Sequence, residues 1–326
     1  MIDKFLKKIR IDIHKNSKLT FYLRGLGILL LPHFLYSKSL EDKYNKLSRQ
    51  EKEIINNRVN YYNKIDHPFK PAPNEVTILD FMLKEKKKTY YFDLLEYLKY
   101  FNYSQKIAYL FGDIREIPPY PTIVKSRPIK GNNKNSILMK LNKVRHFIFI
   151  QDKLQFTQKK DKLVWRGKVH QKHRIAFFEK HFNNHLCDIG MVNNNKLPNQ
   201  WKKEKLSLSQ QLEYKFILAI EGNDVASNLK WILSSNSLVV MPKPKYETWF
   251  MEGKLQENIH YVLIKDDFSD LDEKLYYYMQ NPEKAQKIIN NAHMFIQQFL
   301  NQEYEDIISY MVLKKYFDLK IKLFHQ

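Results

Sequence analysis

The chain has 326 residues, 44% hydrophobic and 14% aromatic, which excludes an intrinsically disordered protein and predicts two domains, since single cores stop growing below this length. Its 55 Lys and Arg against 35 Asp and Glu give a formal net charge of +20 and call for an anionic partner. Nucleic acid, an anionic membrane face, and a nucleotide-sugar paired with an anionic glycolipid acceptor all satisfy that charge.

From the N-terminus, MIDKFLKKIRIDIHKNSK is basic, but no apolar segment with a small-residue cleavage site follows, so secretion is not expected. The longest apolar stretch, residues 27–36, is about half the length that spans a bilayer and contains Pro32 and His33. With Lys4, Lys7, Lys8, Arg10, Lys15, Lys18 and Arg24 before it, it either lies on an anionic membrane or packs as a short core helix. Residues 40–70 are polar, with helical spacing at Leu47, Ile54, Ile55 and Val59, and read as an exposed helix and connector. Val76–Leu79 reads as a strand, Tyr90–Tyr100 as a helix, residues 118–128 as a proline-punctuated extended stretch, and HFIFIQDK (146–153) as a buried strand. The polar run at 155–162 is the expected domain boundary, giving domains 1–157 and 158–300 with a terminal helical segment, 301–326.

Beyond that boundary the pattern alternates. Strand KLVWRG (162–167) is followed by FILAI (216–220), a small-residue turn Glu221-Gly222-Asn223-Asp224, a helix over Ala226–Ser234 and a strand at 237–241. IHYVLIK (259–265) reads as a strand, Asp270–Met279 as a helix and residues 281–300 as another. This is the order of a doubly wound α/β sheet, whose ligands sit at the C-terminal ends of the strands. A turn from strand into helix offers free backbone N–H groups to an anion, although a plain packing unit has the same pattern. Upstream, residues 163–174 put Arg166, Gly167, Lys168, Lys172 and Arg174 just after an apolar run. Forked guanidinium donors and a glycine suit a phosphate cradle; a solvated basic turn is the alternative. Cys187 permits no internal disulfide, so the chain does not depend on an oxidising compartment.

The ordered set WRG…HR (165–174), EGN…AS…LK (221–230), SLVV (237–240), YETWF (246–250), HYVLIKDDFSDL (260–271) and the closing helix 281–300 resembles glycosyltransferase family 90, the CAP10-like family that includes the protein O-glucosyltransferases. FGDIREIPPYPTIVKSRPI (111–129) and NSILMKLNKVRHFIFIQDK (135–153) are similar to its bacterial lipopolysaccharide-core branch. The resemblance covers residues 105 to 310 or thereabouts. It implies a GT-B type α/β fold, two Rossmann-like domains facing a central cleft, with acceptor on the first, nucleotide-sugar on the second, and the last segment crossing back over the first.

The same resemblance implies an inverting, metal-independent transferase that moves glucose or galactose from a UDP-hexose to an anionic glycolipid, the inner core of lipopolysaccharide or lipooligosaccharide; a protein or capsule O-glycosyltransferase of the same family is the alternative. Its place would be peripheral, on the cytoplasmic face of a bacterial inner membrane. Asp113 matches a family aspartate near this position and is the expected base, with Glu116 as substitute; read without the resemblance, Asp113 is a turn residue. The UDP contacts fall to Arg166, Gly167, Arg174, Glu221, Gly222, Asn223, Ala226, Ser227 and Lys230, of which the cations Arg166, Arg174 and Lys230 would take the charge growing on the leaving diphosphate. Many family members have an arginine where Asn228 stands, a gap that Lys168, Lys172 or Arg127 would have to fill. Asp266-Asp267 is adjacent rather than spaced as D-x-D, no metal is expected, and Asp267 reads as a helix cap or donor-loop residue. Lys125, Arg127, Lys140, Lys143 and Arg145 are candidates to face the acceptor, or else solvated face charges. The charge and the aromatics (21 Tyr, 21 Phe) also suit a nucleic-acid binder, but the aromatics sit inside apolar runs and no nucleic-acid motif occurs, so no nucleic acid is expected.

Overall fold

A computed structural model describes residues 21–23, 39–193 and 196–321. The basic N-terminal run and the apolar stretch 27–36 lie outside the described residues. The protein is mixed α/β with parallel sheets, and its chain divides into two compact units. Of the described residues, one takes those up to Val144 together with Lys245–Gly253 and those from Phe299; the other takes Arg145–Pro244 and Lys254–Gln298. The division thus falls before the polar run at 155–162, because Phe147 and Ile150 are buried in the second unit, where Ile150 N–H donates to Ser234 Oγ at 3.0 Å. No strand forms there.

The first unit begins with α1 (Ser39–Lys46) and α2 (Arg49–Tyr62). Ser48 caps α2 through a reciprocal box: Glu51 N–H donates to Ser48 Oγ, and Ser48 N–H donates to the Glu51 carboxylate at 2.8 Å. Far from being merely exposed, α2 buries Ile55, Arg58, Val59 and Tyr62. Val76 and Thr77 form only a two-residue strand, β1, because Thr77 then caps α3 (Ile78–Lys84) by accepting from Asp80 N–H. α4 (Thr89–Leu98) is apolar on most sides and nearly all buried, as its sequence TYYFDLLEYL requires. β2 (Lys106–Ile107) pairs antiparallel with β1. β3 (Tyr109–Leu110), β4 (Thr122–Val124) and β6 (Ser136–Leu138) make a small parallel sheet in the order β3-β4-β6, with β5 (Ser126–Pro128) set apart from it.

The second unit holds the larger sheet. After the single turn α5 (Lys143–His146) come β7 (Lys160–Gly167), α6 (Lys172–His181), β8 (Cys187–Met191), the turn α7 (Leu208–Gln211), β9 (Tyr214–Leu218), α8 (Leu229–Leu233) and β10 (Leu238–Met241). α8 is shorter than its sequence suggests and starts at Leu229, since residues 222–228 are spent in bends and a turn. β11 (Tyr246–Thr248) then pairs antiparallel with β5 in the first unit. β12 (Val262–Leu263), α9 (Leu271–Gln280) and α10 (Pro282–Gln297) complete the second unit, and α11 (Gln302–Leu319) belongs to the first.

Strands β8-β7-β9-β10-β12 are parallel throughout, with Phe216 of β9 in register with Leu163 of β7 and Leu238 of β10. Counted in chain order within the sheet this is 2-1-3-4-5, a doubly wound arrangement whose direction of winding reverses between β7 and β9. Val, Ile and Leu fill β9 and β10, and both faces are covered, as an all-parallel sheet demands. Phe177 and Phe178 of α6, Leu271 and Leu275 of α9 and Ile288 and Ile289 of α10 pack against it.

Candidate active site

In doubly wound sheets, ligands bind where the winding reverses, which here is at the C-terminal ends of β7 and β9. The two segments singled out in the sequence meet there. α6 follows β7, and Arg174 in its first turn reaches across to the turn after β9: Nε donates to Glu221 O at 2.8 Å, Nη2 to Ile220 O at 2.9 Å, and Nη1 to Lys168 O at 2.7 Å. Gln171 Nε2 donates to Asn223 Oδ1 at 3.0 Å, and His173 Nε2 lies 2.8 Å from Glu221 O. The guanidinium itself lies over the Trp165 ring, 5.2 Å from its centroid.

Three hydrogen bonds leave Arg174 two of the five N–H donors that a guanidinium carries. Burial, and then repulsion from Arg145, push its pKa down to about 10. Among the described residues, neither arginine has a carboxylate within salt-bridge reach. A half-buried guanidinium beside a second one is a site whose charge is relieved by an arriving anion. α6 adds to this: it is ten residues long, and its N-cap, Gln171, makes no capping hydrogen bond with its side chain. Gly222 makes room for the arrangement, since a Cβ there would sit 3.3 Å from Arg174 Nη2.

Other expected donor contacts are placed differently. Arg166 is held within the sheet: Nη2 pairs with Asp188 Oδ1 at 2.8 Å, Nη1 donates to Asp188 O and Trp165 O, and Nε to Glu204 O. Burial works to raise the pKa of Asp188, but hydrogen bonds from Tyr214, Lys203 and Arg166 overcome it and hold the carboxylate at about 2. Arg166 is therefore a structural ion-pair residue joining β7 to β8. Gly167 accommodates the Trp165 ring, which a Cβ would meet at 2.4 Å, rather than an approaching ligand. Lys230 is fully buried on α8, with Nζ 5.9 Å from the Phe147 ring centroid, and Ala226 is buried as well. Ser227 is half-buried in the turn. Asn228, standing where many relatives have arginine, donates from Nδ2 to Leu218 O at 2.9 Å and closes the end of β9. Asp267 accepts from Ser269 N–H and Oγ, and the N-cap position of α9 is Asp270.

Asp113 belongs to the first unit and follows β3 at the C-terminal edge of the parallel strands. Gly112, at φ +112°, makes the bend, a conformation that favours glycine. The Asp113 carboxylate is exposed, and its Oδ1 lies 2.6 Å from Nζ of Lys125, a buried lysine just past β4. Ser126 Oγ fixes the same bend, accepting from Ile114 N–H at 3.2 Å. Glu116 is exposed three residues further along.

The basic residues expected to face an acceptor mostly turn inward. Lys125 pairs with Asp113, Arg127 with Glu247 at 2.8 Å, Lys140 with Glu305 at 2.8 Å, and Lys143 with Asp93 and Glu96. Cations this deep must be paired, because burying a lone charge costs several kcal/mol. Only Arg145 of that group is exposed, and it lies in the second unit beside Arg174. Sequence grouped Arg145 with the lysines expected to face an acceptor; nothing in KVRHF sets it apart from Lys143. Among the described residues, no group of three or more His, Cys, Asp or Glu could hold a metal ion, and no helix is long and apolar enough to cross a membrane.

The model of glycosyl transferase family 90 matches residues 137–322, more than half of the chain. The chain belongs to glycosyltransferase family 90. It is 44% identical over 306 residues to an O-glucosyltransferase LpsA of Dichelobacter nodosus, covering 93% of this chain and 96% of that protein. It is also 26% identical to human protein O-glucosyltransferase 3, over 49% of this chain and 32% of the human protein. An uncharacterized protein, 179R, of Invertebrate iridescent virus 6 is 33% identical over 34% of this chain and 10% of the viral one. The family match includes the sheet and the Arg174 site, while Asp113 lies N-terminal to it. Family membership makes this chain a glycosyltransferase.

Proposed function

We propose that this family member transfers a hexose, glucose or galactose, from a UDP-sugar to the inner core of lipopolysaccharide or lipooligosaccharide, with inversion and without a metal. The observation that carries the donor half of this reading is Arg174, bridging the segments after β7 and β9 with two N–H donors to spare and no carboxylate partner among the described residues, at the winding reversal of a parallel sheet. In this reading the second unit is the nucleotide-sugar domain of a GT-B type enzyme, and the first supplies the acceptor side. The diphosphate takes the two remaining donors of Arg174, the Arg145 guanidinium and the N-terminus of α6. Asp113 accepts the proton of the acceptor hydroxyl as that oxygen bonds to the anomeric carbon and the sugar–phosphate bond breaks. Negative charge grows on the departing UDP during this step, so fixed cations there lower the barrier directly.

The reading supports a peripheral enzyme at the cytoplasmic face of the inner membrane, where UDP-sugars and nascent glycolipid meet. Its direct test is calorimetric titration with UDP in EDTA, followed by a panel of UDP-sugars assayed for turnover. Micromolar metal-free binding with one sugar preferred supports it; no binding to UDP or to any UDP-sugar defeats it.

Arg145→Ala and Arg174→Ala are both expected to weaken UDP binding, by roughly 10- to 100-fold for Arg174, the loss of charge-assisted hydrogen bonds of about 1.5–3 kcal/mol. Arg145 is exposed, so its replacement should leave the melting temperature unchanged and separates ligand binding from loop scaffolding. Unaltered UDP affinity in both variants would move the diphosphate elsewhere. Gly222→Val should also weaken UDP more than it lowers the melting temperature, because the added side chain displaces Arg174 Nη2; a Gly222→Val protein with wild-type affinity would show that the guanidinium position is immaterial.

A further inference from the structure

The first unit carries a surface feature that neither the Arg174 site nor Asp113 uses. Helix α3 is two turns long and apolar on both faces. Ile78 and Phe81 are buried in the core, whereas Leu79 and Leu83, four positions apart and so on one face, are 49% and 71% exposed. Two large aliphatic side chains held side by side in water are a standing cost that a covering surface removes.

What borders them says which surface. The chain leaving α3 runs Lys84-Glu85-Lys86-Lys87-Lys88, and all four lysines are exposed. Asp80 is occupied by Lys84 at 2.6 Å. Glu85 is turned back onto the protein, accepting from Lys86 N–H at 2.8 Å and from Tyr109 OH at 2.5 Å. Among the described residues, no carboxylate lies within salt-bridge distance of Lys86, Lys87 or Lys88. A leucine ridge is thus edged by three unneutralised ammonium groups on long, flexible stems.

We propose that Leu79, Leu83 and Lys86–Lys88 form a docking surface for an anionic phospholipid bilayer. The leucines enter the boundary between headgroups and acyl chains, and the lysines lie against the phosphates with their stems along the apolar layer. A protein partner fits less well, because lysine is depleted at protein interfaces and three adjacent exposed lysines border the leucines. The contact does not depend on the identity of the sugar donor or acceptor.

Sedimentation of the full-length chain with phosphatidylglycerol-containing vesicles tests this, with pure phosphatidylcholine vesicles as control. Replacing Lys86, Lys87 and Lys88 together by Gln is expected to weaken binding by about 100-fold, near fivefold per lysine. Leu79→Ser with Leu83→Ser is expected to weaken it by roughly tenfold or more. Because the N-terminal segment is also basic, a position-specific readout is needed: a polarity-sensitive fluorophore on Leu83→Cys, labelled selectively because the native Cys187 is buried. Its emission should shift to the blue with the anionic vesicles and stay unchanged with phosphatidylcholine. Wild-type vesicle affinity in the Gln variant, or no emission shift at position 83, overturns the proposal. A shift produced by a soluble acidic protein and not by vesicles overturns it in favour of a protein partner. UDP titration of the same variants should match the wild type, which keeps a failed vesicle result distinct from a failed transferase reading.

Discussion

Asp113→Asn should abolish most sugar transfer, lowering kcat by about 10²–10⁴-fold, the usual contribution of a positioned general base, while UDP binding stays within about twofold of the wild type. The substitution is nearly isosteric, and the side chain is exposed at the end of β3, so the fold should tolerate it. What it removes is the negative charge that Lys125 holds at 2.6 Å and the lone pair that would take the hydroxyl proton. Single-turnover transfer assays beside UDP titrations give the two readouts separately. Normal turnover in Asp113→Asn would take the base role from this residue, and Glu116→Gln would be the next variant to assay.

The second large effect concerns stability. In the first unit, the Glu305 carboxylate of α11 is fully buried between two cations, Arg58 Nη2 at 2.6 Å and Lys140 Nζ at 2.8 Å, and accepts from Trp249 Nε1 at 2.8 Å. Arg58 also donates to Tyr62 OH at 2.7 Å, Tyr62 OH donates to Trp249 O at 2.8 Å, and the Tyr62 and Trp249 rings stack with centroids 3.8 Å apart. Glu305→Ala leaves two buried cations facing one another, a loss of about 3–5 kcal/mol. In a unit of this size that lowers the melting temperature by roughly 10 °C. Glu305→Gln keeps an acceptor for Trp249 but not the charge, and is expected to lose most of the same stability. If thermal denaturation of both variants stays within about two degrees of the wild type, the network contributes little beyond an apolar replacement.

Much of the second unit was legible from sequence. The apolar runs at β7, β9 and β10 are continuous because both sheet faces are covered, and the turn residues after β9 and the basic residues after β7 were each legible as separate segments. Their convergence through Arg174 follows from the strand order, in which β7 and β9 are neighbours. The first unit was less legible. Its strands are two or three residues long, below the length at which alternation can be read, so Val76–Leu79 became a strand end and a capped helix. HFIFI predicted a strand because an apolar run reports burial; whether the backbone finds a strand partner is a separate matter, and here Ser234 Oγ takes the Ile150 N–H.

The residue types of the site, arginines after one strand and small residues after the next, were determined by the sequence alone, as were the surplus of cations and the sheet-forming runs. Which cations are available to a ligand was decided only by the tertiary structure. Arg127 meets Glu247, 120 positions along the chain, and Lys143 meets Glu96, 47 positions away. Arg166 spends its donors on Asp188, while Arg174 and Arg145 come together without a carboxylate. A charge is silenced or left active by the sign and distance of whatever the fold places beside it, and that neighbour is set by strand order and packing rather than by position in the chain.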